Sequence, residues 1–162
     1  MKLVTLLLIC LISASCITEI KSSEPIDHGN LSNKVYRGQA ALKGNIKTVE
    51  RHMKLITKIT KVLLVPVCPA STDIITQIYN NTEASSRDIK NHPRIDWQDL
   101  QEFVRTTKTN EKGNFMFASI SPGDYYLLSY IKMRDKLSVK GGSVMRKVEV
   151  KNGRMKEISV RL

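Results

Sequence analysis

The stretch from Thr109 to Tyr130, TNEKGNFMFASISPGDYYLLSY, limits the fold more than any other part of the chain. Phe115 and Phe117 alternate with Asn114, Met116 and Ala118, and Tyr125, Leu127 and Ser129 alternate with Tyr126, Leu128 and Tyr130. A period of two puts successive side chains on opposite faces of a strand. Asn110 to Gly113 reads as a turn, with Gly113 where a positive φ is needed, and Pro122-Gly123 fits the central pair of a type II turn. The expectation is two strands joined as a hairpin, with the glycines at the corners of a meander.

Further strands follow from the same signals. Lys34 to Gly44 gives a first strand, closed by the turn signal Lys43-Gly44-Asn45. Thr60 to Val67, TKVLLVPV, gives a second, apolar on both faces as a central strand is, and Pro66 ends its regular pairing. Ser143 to Leu162 reads as a hairpin with Asn152-Gly153 as its type I′ turn, the last strand turning Ile158, Val160 and Leu162 to one face. Residues 69–103 are too long for a plain connection between strands. Ser71 or Thr72 as N-cap followed by Ile74, Ile75, Ile78 and Tyr79, and Asp96 as N-cap followed by Trp97, Leu100 and Val104, predict two short helices around a polar loop.

With 162 residues the chain suits one folded unit, and 41% apolar with 25% charged residues is ordinary for a globular protein. The N-terminus is not ordinary. Lys2, the apolar run Leu3–Ile12 and the small residues Ser13, Ala14 and Ser15 have the layout of a secretory signal, and the run is too short to span a bilayer comfortably. The expected division is a signal peptide over 1–15, a flexible tether over 16–33 and a β-sandwich over 34–162, with 69–103 as the helical insertion.

Cys16 directly after small residues resembles the lipobox of bacterial lipoproteins, although Ser13 stands where that family prefers Leu. The resemblance implies acylation of Cys16 and anchoring to the outer membrane, facing the periplasm or the surface. Simple secretion to the periplasm or beyond is the alternative, since Ser13 and Ser15 also suit ordinary signal cleavage. If Cys16 is lipidated, Cys68 is left alone and no intrachain disulfide forms. Asn30 and Asn80 open glycosylation triplets that matter only in a eukaryotic secretory route.

A second resemblance rests on Thr109, Gly113, Phe115, Phe117, Ile120, Pro122, Gly123 and Tyr125, which follow T-x-x-x-G-x-F-x-F-x-x-I-x-P-G-x-Y. The pattern resembles the carboxypeptidase regulatory-like domain, and Val62–Pro66 and Gly141–Gly153 extend the likeness. It implies a mainly β fold, an antiparallel transthyretin-like β-sandwich of about seven strands, here with the helical insertion between the second and third. It also implies a non-catalytic role.

Chemistry-bearing patterns are sparse. His28, His52 and His92 lie at no metal-ligand spacing, no Ser sits in a G-x-S-x-G elbow, and Tyr36-Arg37-Gly38-Gln39 departs from the Tyr-Arg-Gly-Ser end of a transthyretin-like purine hydrolase. Neither cofactor nor metal is expected. A hydrolase using scattered residues, such as Cys68 with His52 or His92, stands as an alternative, and so does a lipoprotein component of a secretion or conjugation machine.

The net charge of +11 is the unusual figure of the composition. Lys43, Lys47, Arg51, Lys54, Lys58 and Lys61 form a basic segment opposed by Glu50 alone. It reads as a solvated strand edge or as a contact for an anionic envelope component or another envelope protein. No aromatic is interleaved, so nucleic acid is not an expected partner. Tyr126, Leu128 and Tyr130 form an apolar stripe that, with Trp97, is either an aromatic binding surface or a face covered by the insertion; cover is the expectation. The function expected is a non-catalytic, envelope-anchored binding or scaffold module.

Overall fold

The structure is a computed structural model and describes residues 19–28, 31, 38–47, 54–55, 60–88, 94–134 and 139–161. In chain order the strands are β1 (Glu19–Ile20), β2 (Ala40–Lys47), β3 (Lys54–Leu55), β4 (Lys61–Pro66), β5 (Ala84–Asp88), β6 (Arg94–Ile95), β7 (Arg105–Lys108), β8 (Asn114–Ile120), β9 (Gly123–Arg134), β10 (Val139–Val150) and β11 (Met155–Arg161). Among the described residues between β4 and β7 lie one α-helix, α1 (Pro69–Tyr79), and one 3₁₀ helix, η1 (Gln98–Phe103).

The protein is mainly β. A six-stranded antiparallel sheet has the order β5-β10-β9-β4-β7, with β3 also paired to β9. A three-stranded sheet has the order β11-β2-β8, and β1 and β6 form a separate parallel pair. Among the described residues the two main sheets thus hold nine strands (six and three) rather than about seven, and they are not wholly antiparallel, because β11 runs parallel to β2.

Both faces of the large sheet are buried. On one, Val62, Leu64, Tyr125, Leu127, Val144 and Val148 share a core with Leu42, Ile46, Phe115, Phe117 and Val160 of the small sheet. On the other, Leu63, Val65, Tyr126, Leu128 and Met145 pack under Ile74, Ile75 and Ile78 of α1 and Leu100 and Phe103 of η1. The double-faced apolar run of β4 serves both cores, as a central strand must.

The glycine-bearing corners are not hairpins. β7 and β8, β8 and β9, and β10 and β11 each lie in different sheets, so all three turns carry the chain across the core. At the first, Asn110 Oδ1 accepts from the Lys112 and Asn114 amides, and Gly113 has φ +78. A side chain there meets a second obstacle, the Ile46 carbonyl 2.4 Å from where Cβ would sit. At the second, Gly123 opens β9 with φ +149, positive but well past the roughly +80° of a type II turn. At the third, Gly153 alone has positive φ, +63, and Arg154 N–H donates to Lys151 O. A type I′ turn requires positive φ at Asn152 also, so the expected C-terminal hairpin is replaced by a sheet-to-sheet crossing.

Gly44-Asn45 is no turn either: β2 runs straight through it. A Cβ on Gly44 would lie 2.2 Å from Cζ of Phe115, so the glycine makes room for that ring within a continuous strand. Two arginines lace the sheets together at their backbones. Arg105 donates to the Ser119 carbonyl at 2.9 Å, and Arg146 to the Ser159 carbonyl at 3.1 Å.

In the insertion, α1 begins earlier than expected. Its N-cap is Cys68, whose Sγ accepts from the Ser71 amide while Ser71 Oγ accepts from the Cys68 amide, and Pro69 takes the first helical turn. Asn80 closes it in the left-handed conformation. The second helix is 3₁₀, with Trp97 rather than Asp96 at its N-cap. The loop between them is not plain: it contains β5, which forms an edge of the large sheet.

Candidate functional site

The covered face comes first, because it removes one surface from consideration. Tyr126 is 1% exposed and its hydroxyl hydrogen-bonds Thr72 Oγ1 at 3.0 Å, so it belongs to the interior under α1. Leu128 is equally buried. Tyr130 and Trp97 are half-buried and pack against the same core from its rim. Burial pushes the Tyr130 phenol well above its ordinary range, with the nearby Tyr79 adding to the shift. The stripe is therefore a covered face, with Tyr130 at the margin of the cover.

The basic segment is not one patch. Lys43 and Lys47 project from the small sheet, and Lys43 is paired with Glu157 at 3.5 Å. Lys61 opens β4 in the large sheet, exposed and directly opposite Lys108 of β7. Lys54 is placed by its backbone in β3, opposite Arg134. Arg51 and Lys58 lie outside the described residues, as do Cys16, His52 and His92.

The expected tether is partly a strap. Residues 19–28 and Leu31 lie along the helical layer, Leu31 being 3% exposed and Ile20 and Ile26 packing on the second core. Asp73 of α1 holds the strap by accepting from the Ser23 amide at 2.9 Å and the Ser23 and Ser22 hydroxyls. The Ser23 amide is the main reason its carboxyl sits below the usual aspartate value, with Gln77 Nε2 as a further donor. Lys21 pairs with Asp99 at 3.3 Å.

Where the strap crosses η1, His28, Asp99, Gln101 and Glu102 line an open groove of 580 Å³. His28 Nδ1 lies 2.9 Å from Glu102 Oε1, and its ring is tilted over Phe103 at 5.6 Å. Asp99 and Glu102 sit one turn apart on η1, but nothing in the sequence joins them to His28, 74 positions before Glu102. A second open groove of 540 Å³ runs along β11, lined by Arg146, Lys156, Glu157, Ile158 and Ser159.

Cys68 has a structural post as helix cap, half-buried. Among the described residues no group of three or more His, Cys, Asp or Glu side chains is arranged to hold a metal ion, and no helix is long and apolar enough to cross a membrane.

No protein-family model and no curated protein sequence matches the chain. Among solved structures, the fold is similar to that of a "putative carbohydrate binding protein" from Pseudomonas aeruginosa, with a TM-score of 0.64 and 19% identity over 88% of this chain and 100% of that one. At that identity the likeness is one of fold.

Proposed function

We propose that the chain is a non-catalytic carbohydrate-binding module of transthyretin-like β-sandwich type, exported and held at a bacterial envelope by acylation of Cys16. The observation that carries the binding reading is the fold likeness, which runs through the whole of a solved chain described as carbohydrate-binding. The two sheets sharing one core support the sandwich reading, and so does the burial there of Phe115, Phe117, Ile120 and Tyr125, all members of the sequence pattern resembling carboxypeptidase regulatory-like domains. The carboxylate, amide and imidazole groups at the η1 groove are suited to sugar hydroxyls. Export and anchoring rest on the N-terminal sequence: the run Leu3–Ile12, the small residues and Cys16.

The test is a glycan array probed with the full mature chain, with hits measured by titration calorimetry. Saturable binding of a glycan that is recovered chemically unchanged is the expected result. Recovery of a cleaved glycan would favour a hydrolase, and an array without a single binder would remove carbohydrate from the reading.

A further inference from the structure

We propose that the outer edge of β11 takes up an extended acidic peptide as an added strand, in the groove lined by Arg146 and Lys156. This binding surface is separate from the carbohydrate reading and does not rest on it.

Among the described residues β11 ends the small sheet, paired on one side alone, in parallel with β2. Successive residues of a strand turn their backbone N–H and C=O groups alternately to its two sides. Arg154 O accepts from the Ala41 amide, so the even-numbered positions bond toward β2. Ser159 O accepts instead from the Arg146 guanidinium of β10, at 3.1 Å, so the odd-numbered positions face the outer edge. The amide and carbonyl of Glu157 and the amide of Ser159 are thereby presented outward. Glu157 and Ser159 are both exposed, so nothing lies over this edge. Such a row of backbone groups is a template for another strand.

The side chains beside the row give it a charge. Lys156 shares the inner face of the small sheet with Ile158 and Val160, and Arg146 shares the inner face of the large sheet with Val144 and Val148. Both cations therefore turn into the cleft between the sheets, where they line the 540 Å³ groove. Glu157 falls on the outer face, where Lys43 holds it at 3.5 Å. Glu83, just before β5, and Glu149 of β10 are engaged by Lys147 and Lys151, each at 3.7 Å. Among the described residues Lys156 has no acid partner. Arg146 spends one nitrogen on Ser159 O, which leaves other donors of the guanidinium for a carboxylate.

The opposite end of the small sheet lacks these properties. The register of β8 with β2 shifts between Ala40 and Leu42, and Ser119 has φ +55. A bulge of this kind protects an edge from added strands. β11 keeps an unbroken register over its seven residues, Met155–Arg161. A second copy of this chain suits the groove poorly, since a two-fold axis at β11 would set Arg146 and Lys156 of one copy against those of the other. A glycan would meet the cations but not the backbone row.

The experiment titrates the full mature chain with a fluorescent peptide of alternating threonine and glutamate. Its fully N-methylated form keeps the charges and lacks the N–H donors, and its lysine-for-glutamate form reverses the charges. Ser159→Pro deletes an outward amide that β2 does not use, and an edge strand tolerates proline there. Lys156→Glu reverses a charge in the groove, and Lys112→Glu reverses an exposed charge in the turn before β8. Thermal melts check that each variant folds; if Ser159→Pro does not, the N-methylated peptide makes the same test on the wild type. The expected result is binding of the threonine–glutamate peptide, weakened about tenfold by Lys156→Glu and by Ser159→Pro and unchanged by Lys112→Glu. Neither modified peptide should bind. No binding of the first peptide would overturn the proposal. Equal binding of the N-methylated form, or equal weakening by Lys112→Glu, would reduce the effect to charge and overturn it too. Binding of polygalacturonate in place of the peptide, lost in Lys156→Glu, would give the groove to a glycan. A dimer in light scattering that Ser159→Pro dissolves would give the edge to a second copy, and either of these results overturns the peptide.

Discussion

The Tyr125 hydroxyl donates to the Ser121 carbonyl at 2.8 Å, tying the start of β9 back to the residue that leaves β8. Both residues are buried, and the bond spans the corner at which the chain passes from the small sheet to the large one. The tie to a carbonyl four residues upstream fixes the corner much as a tyrosine corner does in immunoglobulin-like domains. Tyr125→Phe keeps the ring in the core but leaves a buried carbonyl unpaired. It should cost about 1–3 kcal/mol in urea unfolding. An unchanged midpoint would mean that the turn residues alone hold the corner.

The same hydroxyl sets a dependence on alkaline pH. Burial pushes the Tyr125 phenol up to about 12, with Arg105 acting weakly the other way. In the unfolded chain a tyrosine ionises near 10. Between those values the unfolded chain gives up a proton that the folded one keeps, so the contribution is full below pH 10 and is lost as pH rises through 12. Denaturant midpoints measured from pH 9 upward should fall more steeply for the wild type than for Tyr125→Phe. Parallel curves would show that this phenol is not the group responsible.

Gly44→Ala puts a methyl group into the space of the Phe115 ring. Overpacking of this kind costs about 1–3 kcal/mol. Combining it with Phe115→Leu should cost less than the two changes summed, because the smaller side chain vacates the contested space. Strict additivity in thermal or urea unfolding would argue against the clash.

Phe103 and Trp97 separate the interior of the helical layer from its rim. Phe103 is 2% exposed, whereas Trp97 is half-buried. Phe103→Ala should destabilise by about 3–5 kcal/mol. Trp97→Ala should cost distinctly less, since part of its surface is already in water. Equal losses would place Trp97 in the core proper.

What was legible in the sequence had a local cause. Val62 to Val65 announce a central strand by being apolar on both faces, and Phe115, Phe117, Tyr125 and Leu127 announce one core by their alternation. What was missed is long-range or chemically quiet. Asn152-Gly153 signals a turn but cannot say which sheet receives the next strand, and β11 pairs with β2, more than a hundred positions away. Ala84 to Asp88 contains no β-branched or aromatic residue, so the edge strand β5 left no trace. Gly44 imitated a turn because its reason, the Phe115 ring, lies on another strand.

For the proposed anchor, Cys16→Ala should move the domain from the membrane to the soluble fraction without changing its unfolding transition, and the intact mass of the wild type should include acyl chains. A mature mass free of acyl groups would leave a secreted or periplasmic protein.

The strap governs how such an anchor would work. Chain that is docked from Glu19 onward leaves three residue steps between Cys16 and the folded body, a reach of about 10 Å at full extension. With acyl chains on Cys16, the domain would ride against the lipid headgroups at a set height and with restricted tilt, instead of sampling a wide volume at the end of a leash. Its ligands would then have to come to the membrane surface, and any partner would meet the domain in a narrow range of orientations.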